Sequence, residues 1–349
     1  MSSAQPQAGI FQITVQPSGR SFSSQPGEAI LAAGIHAGIG LPYGCKDGAC
    51  GSCKCKKISG QVVHGPHQSK ALSEQEEADG FILTCCGVAH SDAVIESRQV
   101  AEEGAFPIKK MPTRVSLLEK KSDDVMVLKL QLPSNDSFAF HAGQYVEFLL
   151  RDGVRRSYSM ANAPSNGPGI ELHIRHMAGG KFTDTVFSSM KEKDILRIEG
   201  PYGSFFLREH SEKPIVLLAS GTGFAPIKAV IEQMQHKAIT RPAALYWGGR
   251  RPADLYLNDW VETKLTEMPN LRYIPVISDA LEQDRWTGRT GFVHQAVLQD
   301  FSDLSGHQVY ACGAPIVVDS ARRDFPALAK LPEEEFFADS FTSEADKQK

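Results

Sequence analysis

The chain has 349 residues, 42% of them hydrophobic and 22% charged, with a formal net charge of −4. At roughly 100–200 residues per domain this length predicts two or three domains. The composition excludes a disordered or collagen-like chain, and the mild acidity argues against sequence-independent nucleic-acid binding, which needs a basic surface. The first basic residue is Arg20, and no apolar run reaches the ~18–20 residues of a membrane helix, so neither a signal peptide nor membrane insertion is expected. The expected compartment is the cytoplasm, where disulfides are rare.

In chain order, residues 9–97 alternate short β-rich runs, such as Phe11 to Val15, with a helical stretch from Ala29 to Ala37 and a strand from Asp92 to Glu96. Residues 98–111 are mixed and charged and read as a linker. From Pro112 to about residue 210, runs at 125–132, 145–150 and 170–175 are separated by Gly, Pro and Asn, which suggests an antiparallel barrel. From 211 to 345 the pattern becomes strand, turn, helix. The continuous apolar run 214–219 fits a parallel strand covered on both faces, with a helix from about Pro226 to His236 and further strands at 243–247, 272–277 and 308–311. The fold class is therefore multidomain, α+β followed by α/β.

Seven cysteines are present, and six of them lie between Cys45 and Cys86. Cys45, Cys50 and Cys53 give C-x4-C-x2-C, followed about thirty residues later by Cys85 and Cys86, which is the plant-type [2Fe–2S] spacing. Gly44, Gly48 and Gly51 permit a tight, partly left-handed loop, and Ala49 and Ser52 let backbone N–H groups approach the cluster sulfides. A zinc ribbon wants two C-x2-C pairs, and only Cys50/Cys53 is one. A Rieske site wants two histidine ligands, and His64 and His67 are not in Cys-x-His positions.

Arg156-Ser157-Tyr158-Ser159 offers a diphosphate partner, a ring to cover an isoalloxazine and a hydroxyl for its edge; the alternative is a surface strand. Gly179-Gly180 before a helical stretch starting near Thr183 suits a phosphate, or else is a turn with a Thr cap. Gly221-Thr222-Gly223, with Pro226 near the third glycine position, offers N–H groups to a pyrophosphate without completing the dinucleotide fingerprint. Cys312-Gly313-Ala314-Pro315 follows a strand. Arg250 and Arg251, shortly before Asp254-Leu255-Tyr256, can grip a 2′-phosphate or remain solvated.

Together these motifs resemble the ferredoxin-reductase family whose members carry an N-terminal plant-type ferredoxin domain. Over residues 9–345 the chain is similar to the CDP-6-deoxy-3,4-glucoseen reductase type. The resemblance implies a β-grasp [2Fe–2S] domain at 9–97, an FAD-binding antiparallel β-barrel at 112–210 and a Rossmann-like NAD(P)H-binding domain at 211–345. It selects Cys85 as fourth ligand beside Cys45, Cys50 and Cys53, leaving Cys55 and Cys86 spare. It implies FAD rather than FMN, held through Arg156, Tyr158, Ser159, Gly179, Gly180 and Thr183. NADH (or NADPH) is expected on Gly221, Thr222, Gly223, Pro226, Arg250 and Gly313, with Cys312 beside nicotinamide C4 and Phe341 shielding the flavin. Cys312, Tyr158 and Ser159 are the implied catalytic residues. The implied partner is a protein electron acceptor, a deoxysugar dehydrase, with a multicomponent oxygenase as the alternative. A stand-alone flavin reductase and a non-catalytic redox sensor are weaker alternatives: the first needs no one-electron relay, and the second does not need intact motifs at all three sites.

Overall fold

A computed structural model describes residues 9–100, 106–134 and 137–342. The chain forms two compact units, one ending at Pro107 and the other running from Ile108 to Phe341. Among the described residues no helix is long and apolar enough to cross a membrane.

The first unit contains β1 (Phe11–Gln16), β2 (Arg20–Ser24), α1 (Ile30–His36), β3 (Lys54–Ser59), β4 (Val62–His64), α2 (Glu74–Ala78), β5 (Phe81–Leu83), β6 (Gly87–Ala89) and β7 (Ala93–Glu96). Its main sheet has the order β2-β1-β7-β3-β5, in which β1 and β7 are parallel and the other pairs antiparallel. Alternate residues of β1, Ile13 and Val15, are fully buried with Phe22 of β2 and with Ile30 and Leu31 of α1. This is the β-grasp arrangement, a helix laid over one face of a mixed sheet. Ser73 opens α2 with a reciprocal capping box to Glu76.

The second unit holds two sheets. The barrel comprises β8 (Lys109–Lys120), β9 (Val125–Gln131), β10 (Tyr145–Leu149), β11 (Arg155–Ser159), β12 (Gly169–Arg175), α3 (Lys181–Ser188) and β13 (Ile195–Tyr202). Its order β11-β10-β13-β8-β9-β12 is antiparallel throughout, and a bridge between Met160 and Leu172 brings the two outer strands together. β8 begins at Lys109, inside the stretch read as linker, because Met111, Thr113 and Val115 alternate inward with exposed neighbours.

The remaining elements are β14 (Ile215–Ser220), α4 (Phe224–His236), β15 (Ala243–Gly249), α5 (Asn258–Glu267), β16 (Leu271–Ile277), β17 (Arg289–Thr290), α6 (Val293–Asp300), β18 (Gln308–Gly313), α7 (Pro315–Ala329) and β19 (Phe336–Ser340). They build a parallel sheet of order β17-β16-β15-β14-β18-β19. On β14, Ile215, Leu217 and Ala219 enter one core and Val216 and Leu218 the other, which is why the run is continuously apolar. The strand order reverses between β14 and β18, the place where open α/β sheets bind ligands. α4 starts at Phe224, two residues before the expected Pro226. A proline in the first helical turn lacks only an N–H that would have no intrahelical partner.

Candidate functional site

In the first unit the four sulfurs of the C-x4-C-x2-C…C pattern form two pairs. The Cys45 N–H points at the Cys50 Sγ and the Cys50 N–H at the Cys45 Sγ, each at 3.3 Å. The Cys53 and Cys85 thiols are neighbours, and each shifts the other's titration, Cys53 downward and Cys85 upward. Two pairs of thiols, three on one loop and the fourth in the turn between β5 and β6, suit two irons with two thiolates each. Among the described residues no three His, Cys, Asp or Glu side chains converge as a single-ion cage does. None of the seven cysteines is in a disulfide.

The loop geometry follows from its small residues. Gly48 has φ +74°, and a Cβ there would stand 2.8 Å from the His67 Cβ; Gly51 is also left-handed, whereas Gly44 is absent from the positive-φ glycines. The Cys45 thiol, aided by the Ser52 hydroxyl and N–H, draws the Cys50 thiol down against the effect of burial. Burial pushes the Cys55 thiol up, in keeping with a packed spare. Cys86 is more exposed than Cys85 and is a neighbour of that thiol. His64 accepts the Leu83 N–H through Nε2 at 3.2 Å and pairs with Glu77 through Nδ1 at 2.7 Å, which holds the chain two residues before Cys85.

Arg156-Ser157-Tyr158-Ser159 lies within β11, paired with β10. The Tyr158 ring packs against Phe148 and Phe182 at centroid distances of 5.8 and 5.4 Å. The Arg156 side chain, partly exposed, donates to the Arg155 carbonyl at 2.9 Å. Arg155 itself is taken by Glu147 and Glu199. Gly180 is the N-cap of α3, which therefore starts before Thr183. Thr183 is not its cap: its hydroxyl bonds the Met177 carbonyl at 2.9 Å and folds the glycine turn back onto the barrel. A Cβ at Gly180 would stand 2.5 Å from the Thr183 Oγ1. The turn thus leaves backbone, without side chain, at the start of α3, as a phosphate group requires.

At the switch point the 3₁₀ turn Gly221–Gly223 nests against the start of the Cys312-Gly313-Ala314-Pro315 turn. A Cβ at Gly223 would stand 2.2 Å from the Cys312 carbonyl oxygen, and one at Gly313 2.4 Å from the Ser220 oxygen. Cys312 is fully buried, and burial with nearby Asp339 pushes its thiol up, so the side chain is a neutral wall. β19 places Asp339 opposite Cys312. The Ser159 hydroxyl donates to the Asp339 carboxylate at 3.0 Å, which brings two of the sequence-predicted catalytic residues to one acid. The Phe341 N–H bonds the Gly313 carbonyl at 2.9 Å, so the terminal aromatic sits at this turn while Phe336 and Phe337 fill the core.

Asp339 escaped the sequence reading, as did Arg175. The Arg175 guanidinium reaches from β12 to Gly221, where a Cβ would stand 2.8 Å from its Nη1, and it pairs with Asp124 and Asp254. A cation thus stands beside the Gly221–Gly223 turn. The Asp254 carboxylate accepts the Arg250 and Arg251 N–H groups, at 2.7 and 3.0 Å, and shapes the loop after β15. Asp284 holds the Arg251 guanidinium by two hydrogen bonds of 2.8 and 2.6 Å.

Comparison with known proteins agrees with this geometry. Residues 13–90 match the 2Fe-2S iron-sulfur cluster binding domain, 112–207 the oxidoreductase FAD-binding domain and 217–323 the oxidoreductase NAD-binding domain. The chain is 41% identical to the CDP-6-deoxy-L-threo-D-glycero-4-hexulose-3-dehydrase reductase of Yersinia pseudotuberculosis, over 95% of this chain and 98% of that one. It is 35% identical to a reductase component of terephthalate 1,2-dioxygenase from Comamonas, covering 95% and 97%. Among solved structures, an Amycolatopsis cytochrome P450 reductase, GcoB, superposes with a TM-score of 0.77 at 30% identity, covering 95% of this chain and 99% of that one.

The fold and sites define an NAD(P)H-dependent oxidoreductase that uses a [2Fe–2S] cluster and FAD. The chain belongs to the ferredoxin-reductase-type electron-transfer reductases with an N-terminal [2Fe–2S] domain.

Proposed function

We propose that this chain carries electrons from NADH to a partner dehydrase of the deoxysugar type named for its 41%-identical relative. Its division into 9–97, 112–210 and 211–345 then follows the three cofactors. When bound there, NADH would supply hydride chemistry, FAD two-electron to one-electron conversion, and the [2Fe–2S] cluster single-electron transfer. Cys45, Cys50, Cys53 and Cys85 are the thiolate ligands in this reading, supported by their pairing. Arg156, Tyr158, Ser159, Gly179, Gly180 and Thr183 hold the flavin. Gly221, Thr222, Gly223, Pro226, Gly313 and Arg175 receive the pyrophosphate and nicotinamide, Cys312 walls the hydride site, and Phe341 covers the flavin face.

The observation that carries the reading is the bond between Ser159 and Asp339, which ties the flavin strand to the nicotinamide turn. NADH is favoured over NADPH because Asp284 occupies Arg251, and Asp279 faces the same guanidinium. A 2′-hydroxyl finds acceptors there, whereas a 2′-phosphate meets two carboxylates.

The relay is tested with Cys53→Ser. Cytochrome c reduction by NADH falls sharply while two-electron dye reduction survives; equal survival of both rejects the relay. Reconstitution with a deoxysugar dehydrase, against an oxygenase component, decides the acceptor.

A further inference from the structure

A buried polar chain runs between the barrel and the nucleotide-binding layer, apart from the cofactor motifs. Glu171 and His173 lie on β12, Lys228 and Glu232 on α4, and Tyr256 after β15. The Glu171 carboxylate accepts only, so His173 donates to it through Nε2 at 3.0 Å. The Nδ1 of the neutral ring then accepts the Tyr256 hydroxyl at 2.8 Å. Lys228 Nζ lies 3.1 Å from Glu171 Oε1 and 2.6 Å from Glu232 Oε1, and donates to the Ala161 carbonyl at 3.1 Å. The other oxygen of Glu232 accepts the Ala163 N–H at 2.9 Å and the Asn166 amide at 2.6 Å.

Both ends of this chain touch the proposed machinery. Residues 160–163 directly follow Ser159 and are buried throughout. At the other end the Tyr256 ring packs edge-on against Trp247, whose Nε1 donates to the Gly221 carbonyl at 3.0 Å. Trp247 in turn stacks at 3.8 Å on Phe224, the first residue of α4. A hydrophobic interface would hold these layers together without fixing one orientation, whereas a satisfied hydrogen-bond chain admits one register.

We propose that Tyr256, His173, Glu171, Lys228 and Glu232 are positioning residues for hydride transfer. They hold the turn at Gly221 and the strand end at Ser159 in a single relative placement. The inference rests on the hydride-transfer reading above and adds to it a group of residues that acts through the Gly221 turn and the Ser159 strand end.

The test uses the holoenzyme and two variants, Tyr256→Phe, which removes one hydroxyl, and Glu232→Gln. Anaerobic flavin reduction at saturating NADH is expected to slow by roughly 10–100-fold in each, because small misplacements cost that much. NADH affinity stays within about twofold in the same variants, since the binding turn is untouched. Without NADH, hydrogen exchange at the Ala161 and Ala163 amides speeds up in Glu232→Gln, a readout independent of turnover. A lowered melting temperature with the wild-type reduction rate overturns the inference and leaves the chain a stabilising one. So does a loss confined to NADH affinity. If Glu232→Gln fails to fold, the Tyr256→Phe rate decides alone. Failure of the wild type itself to reduce its flavin with NADH rejects the function proposed above instead.

Discussion

Gly223 lies so close to Cys312 that a Cβ at 223 would stand 2.2 Å from the Cys312 carbonyl oxygen. The contact is backbone on backbone, so no rotamer change relieves it. Gly223→Ala is expected to push the two turns apart, at a cost of about 1–3 kcal/mol in stability. It should also raise the KM for NADH more than it changes cytochrome c reduction by the pre-reduced enzyme. Steady-state kinetics with a thermal melt check both.

The two adjacent thiols at 85 and 86 separate cleanly by substitution. Cys85 pairs with Cys53 through its sulfur, and Cys86 is the more exposed. Cys86→Ser is expected to retain the visible spectrum and paramagnetic signal of a full cluster, whereas Cys85→Ser loses them. A full cluster in Cys85→Ser would move the fourth ligand to 86.

Nucleotide choice is expected to shift when Arg251 is released. Asp284→Asn keeps the size of the side chain but removes the charge held against the guanidinium. The variant should bind 2′,5′-ADP more tightly than the wild type and use NADPH several-fold better, with NADH use little altered. Titration with 2′,5′-ADP and with 5′-AMP reads this without turnover.

Acid lability should carry the signature of His173. Burial holds its imidazole below the ordinary 6.5, so the unfolded chain binds the extra proton first. Stability contributed here is full above about pH 6.5 and falls as the pH drops through the unfolded value. Glu171 behaves alike at lower pH. Burial alone would raise its carboxyl, but His173 and Lys228 hold it below the ordinary 4.5. Its contribution therefore fades only below that value. His173→Gln should flatten the denaturation midpoint between about pH 7 and pH 5 and leave the steeper loss below pH 4.5 in place. Urea titration followed by the fluorescence of Trp247, Trp260 and Trp286, all in the nucleotide layer, measures it.

Much of the fold was legible because its signals are local. The apolar run at 214–219 implies cover on both faces and becomes the central β14. The alternating run at 125–132 becomes β9. Errors fell at element ends. α3 and α4 begin two residues early, since a glycine cap and a first-turn proline cost a helix little. β8 was hidden in a charged stretch, because its outward face is polar.

By itself the sequence determined the chemistry on offer: C-x4-C-x2-C with a distant cysteine, R-x-Y-S, and the glycine turns. Apart from the distant cysteine, each acts within a few residues, so chain geometry sets it. Only the tertiary structure decided which distant groups meet. Cys53 was joined to Cys85, Ser159 to Asp339, Arg175 to Gly221, and Arg251 to Asp284. So were Tyr256 with His173 and Glu171 with Lys228. These partners lie tens to hundreds of residues apart, and their pairing is set by strand register and by the packing of one sheet on another. No local pattern in the sequence encodes that.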